Sequence, residues 1–230
     1  KPLNDTFGIF PMIIGSLYVT AGAIALGVPC GVLCAVFMAE YCPAGLYRFM
    51  KPAVDLLAGI PSVVYGFFGL VVIVPAVRQI FGGGKSVLTA SILLAIMILP
   101  TIISVSEAAI RAVPKSYYEG ALALGATKER AIFGVSLPAA KSGVSAGIIL
   151  GIGRAIGETT AIVMIAGNQP VIPDSILSGV RTLTTNIILE MGYAQDLHRE
   201  ALIATAAVLF VFVLLINLMF SVLKSKEGNR

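Results

Sequence analysis

Arg154 and Glu158 stand four residues apart in GIGRAIGETTA, inside an otherwise apolar run. Measured from Lys141, Arg154 lies about 20 Å along a helix that rises about 1.5 Å per residue, well within a hydrocarbon layer about 30 Å thick. A charge at that depth costs about 2.5–3.5 kcal/mol on insertion scales unless it faces a cavity or a partner. The i,i+4 spacing puts both groups on one face of a continuous helix, where they can screen each other and still address a polar pathway or gate. A purely structural ion pair between helices is the other reading of that spacing. Apolar residues would pack equally well without the cost, which favours pathway chemistry.

The elements that must hold such a pair are membrane helices. Of 230 residues, 57% are hydrophobic and 12% charged, and the mean hydropathy is +0.95, outside the range of soluble domains. Apolar stretches near 20 residues read as spans at about 11–39, 53–80, 87–110, 140–167 and 201–223. The expectation is an all-α polytopic membrane helix bundle, one transmembrane domain over residues 1–230 with about five spans. Pro29, Pro61, Pro75 and Pro100 supply kinks within the longer ones. Gly143, Gly147 and Gly151 recur at every fourth position and are followed by Gly153 and Gly157. That spacing lets helix backbones approach closely, so the fourth span belongs inside the bundle or at a subunit interface.

Ten of the sixteen Lys and Arg fall at one set of span ends, among them Arg48, Lys51, Arg111, Lys115, Lys128, Arg130 and Lys141. The positive-inside rule makes those ends cytoplasmic, with the start of the chain outside and Arg230 inside. The basic pI near 9.0 reflects these flanking charges and is no argument for nucleic acid binding. The first apolar run is too long for a cleaved signal and lacks a basic leader, so it reads as a true span. Because the chain begins at Lys1, an N-terminal part is expected to precede it.

The remaining candidates have plainer readings. Asp55 and Glu107 each have a basic residue four positions away, Lys51 and Arg111, and fit interfacial pairs near helix ends. Cys30 and Cys34 share a helix face and suit small apolar packing, and with Cys42 they form no metal or disulfide framework. Gly84-Lys85-Ser86 resembles the tail of a phosphate-binding loop, but the required earlier Gly is Gln79, so a tight turn is expected. His198 is the only histidine, which rules out a His-based metal site or a Ser-His arrangement and leaves a surface role.

Residues 114–138 form a polar, charged stretch between two apolar runs. Pro114 stops the preceding helix, a short helix runs through Glu119 to Leu124, and Gly125 permits a sharp turn into a second short helix. A helix–turn–helix of this kind at a membrane surface can be gripped by a separate motor. The stretch resembles the docking loop of ABC-importer permeases, whose pattern is Glu-Ala-Ala, a Gly four residues on, and a later Ile-x-Leu-Pro. Glu119, Ala121, Gly125, Leu137 and Pro138 match, while Gly120 replaces the first Ala and Val135 the Ile.

With GRAIGET at residues 153–159 and GIPSVVYGFFGL at residues 59–70, the chain resembles over nearly its whole length the permease subunits of the bacterial phosphate-specific (Pst) ABC importer. Residues 181–202 are similar to the PstC branch rather than to PstA. Sulfate and molybdate permeases share the loop and a similar Arg-Glu pair, but typically follow the Glu with Phe, where Thr159 and Thr160 stand here. The resemblance implies a MetI-like fold with six helices, of which this chain would supply the last five. It implies pairing with a PstA-like permease, two PstB-like ATPases and a PstS-like phosphate-binding protein, with membrane lipid around the bundle. ATP would be bound by the partner ATPases, and this chain would carry no cofactor and no catalytic site. Arg154 would then assist the phosphate anion, Thr159 and Thr160 would donate hydroxyls, and Glu158 would hold or neutralise Arg154 in one state. The alternatives are a permease for another oxyanion, and an ATP-independent secondary transporter or channel; neither of the last two accounts for the docking loop.

Overall fold

Helix boundaries fall where the sequence removes or redirects backbone donors. The computed structural model describes residues 8–228, with side chains described as far as residue 218. Lys1 and Arg230, and the side chains of Lys224 and Lys226, lie outside that description. α1, Phe10–Val36, carries Pro11 in its first turn, where a missing N–H breaks no helical bond, and continues through a π-helical turn at Phe37–Tyr41. Pro43 and Pro61 frame α2, Ala44–Gly59. α3, Ser62–Phe68, passes through a second π-turn, Gly69–Ile73, into α4, Val74–Phe81.

The second span is therefore Ser62–Phe81 rather than residues 53–80. Pro61 breaks the helix outright instead of kinking it, because it drives Ile60 to an extended backbone (φ −68°, ψ 128°). Residues 53–59 belong to the separate helix α2. α5, Val87–Arg111, matches the expected third span closely. Ser86 caps it by accepting from Thr89 N at 3.3 Å, and Thr89 Oγ1 donates to Gly84 O at 2.6 Å, so the Gly-Lys-Ser stretch is a turn and helix cap.

Beyond α5 come α6, Lys115–Ala123, and α7, Lys128–Ala131. A third π-turn, Ile132–Ser136, leads into α8, Leu137–Ala139. The Lys128–Ala139 stretch meets α9, Lys141–Gly157, at a bend of 70°. α10, Thr160–Ile165, α11, Leu183–Glu190, and α12, Asp196–Gly228, complete the chain. Among the described residues four helices are long and apolar enough to cross a membrane, and the bent pair, counted as one span, brings the number to five. No strand occurs among the described residues, only an isolated bridge between Gly167 and Val180.

α5 is the axis of the bundle: 67% of its apolar window is buried, against 33% or less for the other three long spans. Glycines on both neighbours let it sit close. A Cβ at Gly31 of α1 would stand 2.8 Å from Ile102 Cγ2, and one at Gly151 of α9 would stand 2.8 Å from Ile102 Cγ1. Ile102, fully buried, is clamped between the two. Gly147 likewise abuts Ser106, and Gly143 abuts Ala109, but Gly153 and Gly157 have nothing within 4 Å. The glycine series thus divides, its first part sealing α9 to α5 and its second facing open space. Gly151→Ala is expected to cost about 1–3 kcal/mol by overpacking, while Gly153→Ala stays near neutral; thermal melts of the purified complex check the contrast. Of the cysteines, Cys34 packs against the Met38, Val54 and Ile103 cluster, whereas Cys30 is exposed on α1 and takes no part in the core of this chain.

Candidate functional site

Arg154 and Glu158 are not partners. α9 ends at Gly157, and Glu158 is extended (φ −68°, ψ 130°), so the fourth span is broken where a continuous helix over residues 140–167 was expected. The i,i+4 register between them is therefore lost, and no ion pair joins Arg154 to Glu158 among the described residues. Arg154 Nη1 instead donates to Thr101 Oγ1 of α5 at 3.4 Å. Glu158 Oε1 accepts from Ala161 N at 3.1 Å, capping the first turn of α10, and Glu158 O accepts from Thr184 Oγ1 of α11 at 3.1 Å. Thr159 Oγ1 donates to Gly157 O at 3.2 Å, while Thr160 opens α10 and is exposed.

Arg154 is thus a half-buried cation whose one hydrogen bond among the described residues is to a neutral hydroxyl. Glu158 is a joint residue, its carboxylate holding α10 and its carbonyl held by α11. Sequence reasoning missed both Thr101 and Thr184. A hydroxyl directly after Pro100, in the middle of a span, was the available signal for Thr101.

The segment beyond α10 is strapped down. Gly167 and Asn168 both take positive φ (87° and 55°), and the chain returns so that Val180 N donates to Ala166 O at 2.8 Å. Arg181 donates to Asn168 O at 3.0 Å, to Asn186 Oδ1 at 3.2 Å and to Glu190 Oε1 at 2.7 Å. His198, partly exposed, borders this cluster, with Nε2 4.0 Å from Glu190 Oε2. Ser178 O and Ile176 O accept from Val87 N and Leu88 N, satisfying two N–H groups at the start of α5 that the helix itself leaves open.

At the other end of α5 the expected pairs Lys51–Asp55 (3.3 Å) and Arg111–Glu107 both form. They are also joined: Lys51 Nζ lies 3.4 Å from Glu107 Oε2, and Tyr47 Oη donates to Glu107 Oε1 at 2.8 Å. That hydrogen bond to the carboxylate, foremost, holds the Tyr47 phenol above its usual pKa, so it remains a donor. Arg111 lies over the Tyr47 ring and donates to Met38 O at 2.8 Å, pinning α2, α5 and the end of α1 together.

The hairpin of α6 and α7 projects beyond these ends. Gly125 turns it with φ 84° and has nothing within 4 Å of where a Cβ would be. Nothing on α6 is fully buried, and Glu119 and Gly120 are exposed, with Leu124 92% exposed at the tip. Leu137 and Tyr118 hold the hairpin by packing on the Ile110, Ile132, Ala140 and Val144 cluster, while Ala121 is half-buried and Pro138 exposed. Lys128 lies 4.6 Å from the Tyr41 ring centroid, fastening α7 to the end of the first span. A cavity of about 410 Å³, lined by Glu40, Arg111, Lys115, Tyr118, Glu119 and Ser136 among others, separates α6 from the bundle. The hairpin is thus held at its base and open along its outer helix.

Comparison with known proteins agrees with this arrangement. A family described as binding-protein-dependent transport system inner membrane component matches residues 27–227. The chain is 41% identical over 226 residues to the probable ABC transporter permease protein YqgH of Bacillus subtilis, covering 95% of this chain and 73% of that one. It is 35% identical over 238 residues to the phosphate transport system permease protein PstC of Mesorhizobium japonicum, covering 94% and 73%. Among solved structures, an inward-facing MetNI methionine ABC transporter superposes with a TM-score of 0.70 at 20% identity, covering 96% of this chain and 94% of that one. The fold is that of these transporter permeases, and with the family matched over residues 27–227 the chain belongs to the binding-protein-dependent transport system inner membrane components.

Proposed function

We propose that this chain is a translocation subunit of an ATP-driven importer that carries inorganic phosphate across the bacterial cytoplasmic membrane. The observation that carries the reading is Arg154: a cation within a membrane span, bonded to the neutral Thr101 and without a carboxylate partner among the described residues. An oxyanion needs such a group, and an already neutralised ion pair would serve it less well. The near-full-length similarity to PstC proteins directs the choice of oxyanion to phosphate. Arg154, Thr159 and Thr160 serve the pathway in this reading, and Glu158 acts through the α9–α10 joint.

The exposed α6 with its Gly125 turn is the docking element for the ATPase, through Glu119, Gly120, Ala121 and Gly125, with Leu137 and Pro138 at its base. A PstA-like permease completes the pathway, two PstB-like subunits bind and hydrolyse the ATP, and a PstS-like protein delivers phosphate. This chain is non-catalytic. Its docking hairpin and C-terminus face the cytoplasm, and Phe10 lies towards the outside.

Reconstitution of the four partners in vesicles tests the reading. Labelled phosphate should enter only with ATP on the hairpin side and the binding protein on the other. Uptake without ATP would mark a channel or secondary carrier, and uptake of sulfate or molybdate in place of phosphate would move the assignment to another oxyanion.

A further inference from the structure

The polar groups around Arg154 do not stop at Thr101. Ser104, one turn further along α5 towards the docking hairpin, accepts from Lys51 Nζ at 3.5 Å and donates to Asp55 Oδ1 at 3.5 Å. Glu107, a turn beyond, takes Lys51, Tyr47 and Arg111. Tyr47, Lys51 and Asp55 are spaced i, i+4, i+8 and form one stripe of α2, and Thr101, Ser104 and Glu107 descend α5 opposite it. Each step along α5 is about 4.5 Å. Tyr65 closes the upper end: its hydroxyl donates to Leu57 O at the last turn of α2.

We propose that Lys51 is a second anion-contacting group of the translocation pathway, meeting the substrate anion after it leaves Arg154. The proposal rests on the reading of this chain as an anion translocator. Three features single out Lys51. Glu107 is buried and already has Arg111 and the Tyr47 hydroxyl, so it does not need Lys51 for neutralisation. Lys51 also leans on Asp55, and with side-chain exposures of 30% and 53% the pair sits at an open edge between α2 and α5 that an anion leaving the bundle can reach, rather than sealed in the core. Finally, a lone deep cation site would hold an anion, whereas a second cation bonded one α5 turn further on, attenuated by two carboxylates, draws it onward and then releases it. The ammonium on its flexible stem can turn from Asp55 to the anion without moving the backbone.

The test uses the whole reconstituted complex and reads phosphate uptake per assembled complex and per ATP hydrolysed, together with melting temperature. Lys51→Gln should lower uptake per ATP by about ten- to a hundredfold, the loss expected for one charge-assisted contact. Lys51→Arg should recover most of that loss. In the double variant Lys51→Gln with Glu107→Gln the buried charge balance is mended, and uptake should remain low even where the melting temperature returns. Wild-type uptake in Lys51→Gln, or full recovery in the double variant, would overturn the proposal by showing that Lys51 only neutralises Glu107. A wild-type complex that carries sulfate or molybdate instead of phosphate sinks the choice of oxyanion alone, and Lys51→Gln must then slow that ion. A wild-type complex that carries no anion sinks both.

Discussion

Arg154→Gln is expected to reduce phosphate uptake by at least about thirtyfold while the complex still assembles. Removing a charge that meets a desolvated ionic partner costs about 2–5 kcal/mol, which sets that scale. Assembly should survive because Arg154 neutralises nothing among the described residues: its hydrogen bond is to Thr101, and a freed Thr hydroxyl can turn back to the carbonyl one turn earlier in its own helix. Arg154→Met should therefore assemble as well, since it removes the 2.5–3.5 kcal/mol penalty for a charge in the membrane rather than exposing a partner. Glu158→Gln behaves differently. The Gln side-chain oxygen can still accept from Ala161 N, so the cap persists and uptake should change little, whereas Glu158→Ala loses the cap at about 1 kcal/mol. Complex yield and ATP-driven uptake for the four variants settle the roles. Normal uptake in Arg154→Met would remove Arg154 from the pathway.

Gly125→Val should uncouple ATP hydrolysis from uptake with the membrane bundle intact. A β-branched residue at φ 84° costs about 1–3 kcal/mol in backbone strain, and with nothing within 4 Å of the new Cβ the cost is free of any clash. The hairpin can relieve the strain only by re-angling α6 against α7. α7 is fastened through Lys128 to Tyr41 at the end of the first span, so α6 is the part that shifts. Gly125→Asn, which tolerates left-handed backbone, should be much milder, and Gly120→Ala, in open space on α6, should be neutral or favour the helix by up to about 1 kcal/mol. Uptake per ATP hydrolysed and recovery of the ATPase with the purified complex are the measurements. Coupled uptake at the wild-type rate in Gly125→Val would count against the hairpin as the docking element.

What could be read in advance depended on how far apart the deciding residues lie. α5 was legible to within a residue because its signals are local: an unbroken apolar run, the tight turn at Gly84-Lys85-Ser86 ahead of it and Pro114 soon after. The turn at Gly125 was legible for the same reason. The break at Glu158 was not, because what stabilises it is Thr184, 26 residues later, reaching its carbonyl. Without that contact, residues 154–158 read as one more helical turn, and an ion pair follows from the spacing. The pairs Lys51–Asp55 and Glu107–Arg111 were visible as i,i+4 spacings, while the bridge between them joins helices 56 residues apart and needed the fold.

The clamp on Ile102 also bears on how the chain enters the membrane. The first span is complete at Tyr41, yet the side chains that fill its glycine notches, Ile98 and Ile102, belong to a helix synthesised some sixty residues later. At about 5–20 residues per second, the first span waits several seconds with those notches facing lipid or a helper protein, and α9 arrives later still to close the other side. Biogenesis of this subunit therefore turns on the moment α5 leaves the ribosome, and a substitution at Ile102 that the finished bundle tolerates could still leave the nascent chain without its assembly point.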